Sequence, residues 1–370
     1  MKLLKFEARD FRNIEYCDIS FSDGVNLLYG KNAQGKTNAV EGIYIFSRGK
    51  SFRGREDSEL IRFGCEGFRI YIEYEDKNSK GSLEYILHGK ERRRKKNGYQ
   101  IFKVTEMIGN FKSVLFYPDD LRLVKGGPEE RRNFLNIAAS QIYPTYMKIY
   151  SDYKKALENR NCALKFINKG FPVSREEIES WSEILAEYAS HIYIMREEYI
   201  KDLSFYSARI MSDISSGKEE IIVEHECDIE TGLTDREKIK ELYKEKFSSD
   251  TAREIAAGVS LYGPHRDDIS IKINGRDARL YASQGQQRSV VLAFKLAEGD
   301  IINERCGEYP VFLFDDVLSE LDDSRRRYVL EGAKEKQFII TSCEPEELIG
   351  YTNNEIDVFG GNYVLSHRKR

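Results

Sequence analysis

Gly30-Lys31-Asn32-Ala33-Gln34-Gly35-Lys36-Thr37 fits the pattern G-x-x-x-x-G-K-[ST], a loop whose glycines let backbone N–H groups wrap phosphate oxygens with no Cβ in the way. In such a loop the lysine, Lys36, brings positive charge to the β- and γ-phosphates, and the hydroxyl of Thr37 can ligate Mg²⁺. The loop needs a strand before it and a helix after it. Val25 to Tyr29 reads as that strand, closing in Gly30, and Asn38 to Phe46 reads as the helix, with Val40, Ile43, Tyr44 and Ile45 apolar. The helix aims its N-terminal dipole at the same phosphates. Gly30, Asn32, Ala33, Gln34, Gly35, Lys36, Thr37 and Asn38 are therefore the candidate contacts to a nucleotide, read as ATP with Mg²⁺.

Two further stretches complete such a site. Val311-Phe312-Leu313-Phe314-Asp315-Asp316 is a short apolar run ending in two carboxylates, and open α/β sheets bind ligands at the C-terminal ends of their strands. Asp315 there holds Mg²⁺ through water or through Thr37, and Asp316 orients or deprotonates the attacking water. Lys36, Asp315 and Asp316 are the catalytic candidates, and Thr37 and Asp315 the metal ligands. About 30 residues earlier, Tyr281-Ala282-Ser283-Gln284-Gly285-Gln286-Gln287-Arg288 precedes an apolar helix over Ser289 to Asn303. Standing alone this is a helix cap. In this order and spacing it resembles the signature motif of ATP-binding-cassette ATPases, with Ser283, Gly285 and Gln286 supplying hydroxyl, backbone N–H and helix dipole to an anion. Ser319-Glu320-Leu321-Asp322 matches the D-loop of that class.

The resemblance then narrows to the RecF family of bacterial DNA replication and repair proteins, in the SMC-type branch of the cassette ATPases. It runs nearly end to end, through Phe11-Arg-Asn-Ile, Ser51-Phe-Arg, Phe116-Tyr-Pro-Asp-Asp-Leu, Lys125-Gly-Gly-Pro-Glu-Glu-Arg-Arg-Asn-Phe-Leu, Glu158-Asn-Arg-Asn and Gly263-Pro-His-Arg-Asp-Asp. The resemblance implies an α/β fold: a cassette-type P-loop ATPase head with mixed sheets, plus a helical lobe bearing the signature motif. Residues 1–112 and 290–370 form the first lobe and 113–289 the second. It also implies an ATP-dependent homodimer with each ATP held between Lys36, Thr37, Asp315 and Asp316 of one copy and Ser283, Gly285 and Gln286 of the other. As partners the resemblance implies duplex DNA at gaps and junctions, and RecR and RecO, with which the family works to load RecA. Two positions depart from the pattern. Asp316 stands where many cassette ATPases have Glu, and the shorter carboxylate predicts slow, weak hydrolysis and a long-lived ATP-bound dimer. Asn136 stands where an Asp is expected, and no Q-loop glutamine is placed.

The remaining elements read outward from these motifs. Lys2 to Ile19 alternates with the period of a strand, and Phe68–Tyr74 and Ser82–His88 read as antiparallel strands joined by a polar turn. The basic run Arg92-Arg93-Arg94-Lys95-Lys96 ends in the hairpin dipeptide Asn97-Gly98. From Pro128 to Lys169, and from Val173 to about Ser216, the period is helical, with Trp181, Ile184, Leu185, Tyr188, Ile192, Met195, Tyr199 and Leu203 on one core-facing stripe. This middle third is read as a helical arm on the ATPase head.

A net charge of -4 over 370 residues conceals a polarised chain. Residues 1–173 carry 32 Lys+Arg against 22 Asp+Glu, residues 174–250 carry 10 against 20, and residues 251–370 carry 16 against 20. A nucleic-acid partner is thus not excluded by the total. Arg92, Arg93, Arg94, Lys95 and Lys96, which read equally as a loop touching phosphates or as a solvated turn, and Arg48, Lys50, Arg53 and Arg55 are the candidate DNA contacts, while Arg12 and Asn13 are assigned to the nucleotide. Six scattered cysteines with no C-x-x-C pair and five dispersed histidines argue against a zinc site, so His265 is read as structural. No apolar run of membrane-spanning length occurs, and a cytoplasmic location is expected. A transporter's nucleotide-binding subunit shares the three motifs but fits the acidic helical stretch poorly. A small-molecule P-loop kinase has no use for Ser283 to Gln286.

Overall fold

The computed structural model describes residues 1–54, 56–348 and 350–365, and the chain forms two compact units. In the first, β1 (Lys2–Phe11), β2 (Ile14–Ser20) and β3 (Val25–Tyr29) lead into α1 (Lys36–Arg48), followed by β4 (Gly67–Glu75), β5 (Lys80–His88), β6 (Glu91–Lys96), β7 (Tyr99–Ile101) and β8 (Ser113–Phe116). The second holds α2 (Arg122–Lys125), α3 (Pro128–Ile142), α4 (Tyr146–Asn168), most of α5 (Arg175–Ser215), β9 (Ile221–Glu226), α6 (Arg236–Ser249), α7 (Thr251–Ala257), β10 (Asp268–Ile273), β11 (Arg276–Asp277) and α8 (Ala278–Tyr281). Along α9 (Gln284–Cys306) the chain returns to the first unit, which ends with β12 (Val311–Asp315), α10 (Asp323–Glu331), β13 (Gln337–Ser342), β14 (Asn354–Phe359) and β15 (Asn362–Leu365).

The first unit has two six-stranded sheets. One is antiparallel in the order β2-β1-β4-β5-β6-β7, and the other runs β15-β14-β3-β13-β12-β8 and is parallel apart from β15. The strands β12 and β13 are buried along their whole length, as parallel strands covered on both faces must be. The helix α1 lies between the sheets. Ala39, Val40, Ile43, Ile45 and Phe46 share one core with Phe6 and Ile70 of the antiparallel sheet and Leu313 and Ile339 of the parallel one. Phe6 approaches so closely that a Cβ at Gly42 would lie 2.6 Å from its ring. The phosphate loop is thus mounted on a helix gripped from both sides.

Several elements differ from the sequence reading. Lys2 to Ile19 is a hairpin rather than one strand: Phe11 and Ile14 face each other across a two-residue turn with Arg12 at φ 55°. Both are buried, so the period-two pattern continues through the reversal. The basic run is not a loop but the strand β6, paired with β5 and β7. Its turn was legible, since Asn97 and Gly98 both have positive φ, as a type I′ hairpin requires. The strand β8 pairs with β12, so residues 113–121 belong with the first unit, and the chain passes between the units at Leu121/Arg122, Met211/Ser212, Gly217/Lys218 and Gln287/Arg288.

In the second unit, the stripe on α5 buries Leu185, Ile192, Tyr199 and Leu203, while Ile184 stays exposed. Beside it lies a buried polar network. Arg196 donates to Asp267 at 2.8 Å, to the Pro264 carbonyl at 2.6 Å and to Asn136 at 3.0 Å. His225 sits between Glu197 at 2.9 Å and Asp267 at 3.3 Å. Burial opposes charge on His225, but its hydrogen bonds to Asp267 and Glu197 outweigh that and raise its pKa above the ordinary 6.5. A raised folded-state pKa gives stability that is complete below the unfolded value and lost as pH rises through the folded one. Thermal melting should therefore fall as pH rises from 6.5. His225→Gln should melt lower at pH 6 and lose that slope; a slope unchanged in the variant refutes the assignment.

Candidate nucleotide site

The phosphate loop is strapped from outside by the β14–β15 hairpin. Gly30 has φ 153°, and a Cβ there would lie 2.2 Å from the Val358 carbonyl oxygen. The Gly360 and Gly361 amides donate to Gln34, at its side-chain and backbone oxygens, and the Tyr363 hydroxyl donates to the Gly35 carbonyl at 2.8 Å. Ala33 is held at φ 64° and Gly35 at φ 121°. Lys36 is buried and its ammonium donates to the carbonyls of Gly30 at 2.8 Å and Lys31 at 3.2 Å and to Cys343 Sγ at 3.3 Å. Cys343 Sγ in turn donates to Asn32 Oδ1 at 2.7 Å. The loop is thus closed around a fixed positive charge.

The strand β12 delivers Asp315 to the same place. Thr37 Oγ1 donates to Asp315 Oδ1 at 2.9 Å, and Thr341 Oγ1 donates to the same oxygen at 2.8 Å. Burial pushes the Asp315 pKa up to about 6; the Thr341 and Thr37 hydrogen bonds oppose this and the adjacent Asp316 charge adds to it. A carboxylate so buried, with a hydroxyl beside it and a second carboxylate next in the chain, suits a divalent cation. Asp316 takes φ 52° while its N–H donates to Thr341 Oγ1 at 2.9 Å.

Arg12, assigned to the nucleotide, is taken up by the chain itself. Its Nε and Nη2 grip both oxygens of Glu41, on the wholly buried face of α1, at 3.0 and 2.7 Å. Ser51 also donates to Glu41, and Arg53 Nη1 reaches Asn38 Oδ1 at 2.9 Å and lies 3.8 Å from Glu41. Asn13 accepts from Asn38 Nδ2 at 2.7 Å. Glu41 therefore collects Phe11-Arg-Asn-Ile and Ser51-Phe-Arg onto the helix that follows the loop. Arg53, read as a DNA candidate, stands at the nucleotide site, and its charge acts on Asp315.

The signature residues cap α9. Ser283 Oγ accepts from the Gln286 N–H at 3.3 Å, and the Ser283 N–H donates to Gln286 Oε1 at 2.9 Å, a reciprocal capping box. Ser283 and Gly285 are exposed, and a Cβ at Gly285 would meet nothing within 4 Å. Packing within this chain gives no reason for glycine there.

The chain matches the RecF/RecN/SMC N terminal domain family over residues 2–360. It is 37% identical over 362 residues to the DNA replication and repair protein RecF of Clostridioides difficile (strain 630), covering 97% of this chain and 96% of that one. The chain belongs to the RecF family. The RecF of Bacillus subtilis (strain 168) is 37% identical over 331 residues, 89% of this chain and 90% of its own. A solved structure described as the recombination mediator protein RecF-ATP in the RecFOR pathway superposes with a TM-score of 0.91 at 33% identity, over 98% of this chain and 97% of that one. The Smc head domain of Pyrococcus furiosus, at 18% identity and a TM-score of 0.57, shares the fold. RecF membership sets aside the transporter-subunit and kinase readings, and no helix among the described residues is long and apolar enough to cross a membrane.

Residues of two other RecF-like motifs are paired within the chain. Asp267 and Asp268 of Gly263-Pro-His-Arg-Asp-Asp bind Arg196 and Arg131, and His265 pairs with Tyr153 at 2.6 Å. Arg160 of Glu158-Asn-Arg-Asn is fully buried on Glu254 and Ser260. Asn136 accepts from Tyr146 and Arg196, two donors that its amide oxygen satisfies without adding a charge to the network. On β6, Arg92 pairs with Asp57, Arg93 with Glu91 and Lys95 with Glu84, Arg94 lies over the Tyr85 ring, and Lys96 is bonded to Asn110. Arg48 ends α1 and Lys50 is exposed two residues on; Arg55 lies outside the described residues.

Proposed function

We propose that this chain is an ATP-switched DNA-repair factor: ATP joins two copies, the dimer binds duplex DNA at gaps and junctions, and slow hydrolysis releases it. ATP lies with its phosphates on the Gly30–Thr37 loop, Lys36 facing the β- and γ-phosphates and Asp316 orienting the attacking water. Mg²⁺, held by Thr37 and Asp315, supplies charge neutralisation to the phosphate oxygens. The observation that carries the dimer is the signature cap, whose exposed Gly285 has open space where a Cβ would go; a phosphate of the ATP on a second copy fills that space against the N–H groups of α9. Loading of a recombinase through mediator proteins is consistent with the RecFOR pathway to which the solved relative is ascribed.

Sedimentation velocity with labelled duplex tests the switch and the DNA partner together. Expected are a monomer without ATP, a dimer with ATP and Mg²⁺, and duplex migrating with the dimer. An unchanged sedimentation coefficient on adding ATP defeats the proposal.

A further inference from the structure

Resting on the duplex-DNA reading above, we infer that the exposed face of α4 is the surface that carries the DNA backbone. With 100° between successive residues, Lys148, Lys154, Lys155, Lys165 and Lys169 fall within about 120° of arc on the helix and its C-cap. The opposite arc holds Tyr146, Tyr153, Ala156, Arg160, Ala163 and Leu164, all buried. The lysines therefore point to solvent because the other side of α4 is in the core. From Lys148 to Lys169 the line is about 31 Å long at 1.5 Å per residue, close to the roughly 34 Å of one duplex turn.

What sets this face apart from the run on β6 is how few of its lysines have a carboxylate partner among the described residues. Lys148, Lys154, Lys165 and Lys169 make no ion pair among the described residues, and Lys155 stands 3.6 Å from Asp152. Glu158 is the one acidic residue within the arc. The run on β6 is the opposite case, with Arg92, Arg93 and Lys95 each matched to a carboxylate. In the acidic stretch of residues 174–250, Lys240 and Lys244 are taken up by Glu183 and Glu187. A bound polyanion gains most where it displaces only counterions. Lysines bind phosphate as point charges and read no base edge, so this face suits duplex of any sequence.

Each lysine contact should contribute about 0.9 to the slope of log affinity against log salt, or about 3.5-fold in affinity between 50 and 200 mM. The test uses the full chain with ATP and Mg²⁺ and the fluorescence anisotropy of a labelled 30-bp (roughly three-turn) duplex across that salt range. Changing Lys148, Lys154, Lys165 and Lys169 to Gln should flatten the slope by about 3–4, while the same four changed to Arg should keep it. A control with Arg92, Arg93 and Lys95 changed to Gln should move it by less than about one contact's worth. A wild-type protein that binds steeply while the Gln variant keeps its slope overturns the assignment to α4 alone. A wild type that fails to bind duplex at 50 mM overturns the DNA reading and this inference with it.

Discussion

Lys36→Arg is expected to hold ATP within about tenfold of the wild-type affinity while hydrolysis falls by about 10²–10³, the usual loss when one preorganised donor no longer meets the transition state. Positive charge is kept, so ground-state attraction to the phosphates survives. Position is lost. The Lys36 ammonium is buried in a ring made by the Gly30 and Lys31 carbonyls and the Cys343 sulfur. A planar guanidinium with its donors in a rigid fork cannot occupy that ring as a single point. Lys36→Ala differs in kind, because it leaves those carbonyls without their donor and weakens ATP binding as well. Phosphate release and binding of a fluorescent ATP analogue, measured side by side, separate the two effects. Wild-type turnover in Lys36→Arg eliminates the proposed role for the ammonium.

The nucleotide site was legible to the extent that its determinants are contiguous. Gly30 to Thr37 fixes strand, loop and helix by local chemistry alone, and an all-apolar strand ending in Asp315 declares itself by its pattern. What escaped notice lies far away in the chain. Thr341 shares the Asp315 oxygen with Thr37, Cys343 bridges Lys36 and Asn32, and Gly360 and Tyr363 hold the loop from outside. None belongs to a short motif, and only the parallel pairing of β3 with β13 and β14 brings them near. Glu41 was hidden for a different reason. A carboxylate among the buried residues of α1 reads as a break in an apolar face until its partner Arg12 is known. Arg12's own pairing is equally hidden, because an arginine beside a phosphate loop offers no sign, in sequence, of the carboxylate it meets. The pairing of the basic run is hidden likewise, since Asp57 and Glu84 lie outside the run.

The same separation makes the signature motif the sharpest test of the dimer. Ser283→Arg should abolish the ATP-dependent doubling of mass in light scattering and take hydrolysis to background, with binding of ATP to the monomer retained. Ser283 caps α9 in the second unit, whereas the phosphate loop and Asp315 belong to the first. Loss of the cap by itself would destabilise the protein by about 1 kcal/mol, so a folding defect has to be distinguished from a lost partner contact. Ser283→Asp makes that distinction. Aspartate is among the best N-cap residues and keeps the Gln286 N–H satisfied, yet it places a carboxylate against the phosphates of the opposing copy. Like charge at about 4 Å and an effective dielectric near 20 is repulsive by about 4 kcal/mol, enough to shift dimerisation by nearly three orders of magnitude. Both variants should therefore remain monomeric with ATP, and Ser283→Asp should do so with an undiminished Tm. Mass doubling in Ser283→Asp at wild-type ATP concentrations means that the cap serves only its own helix.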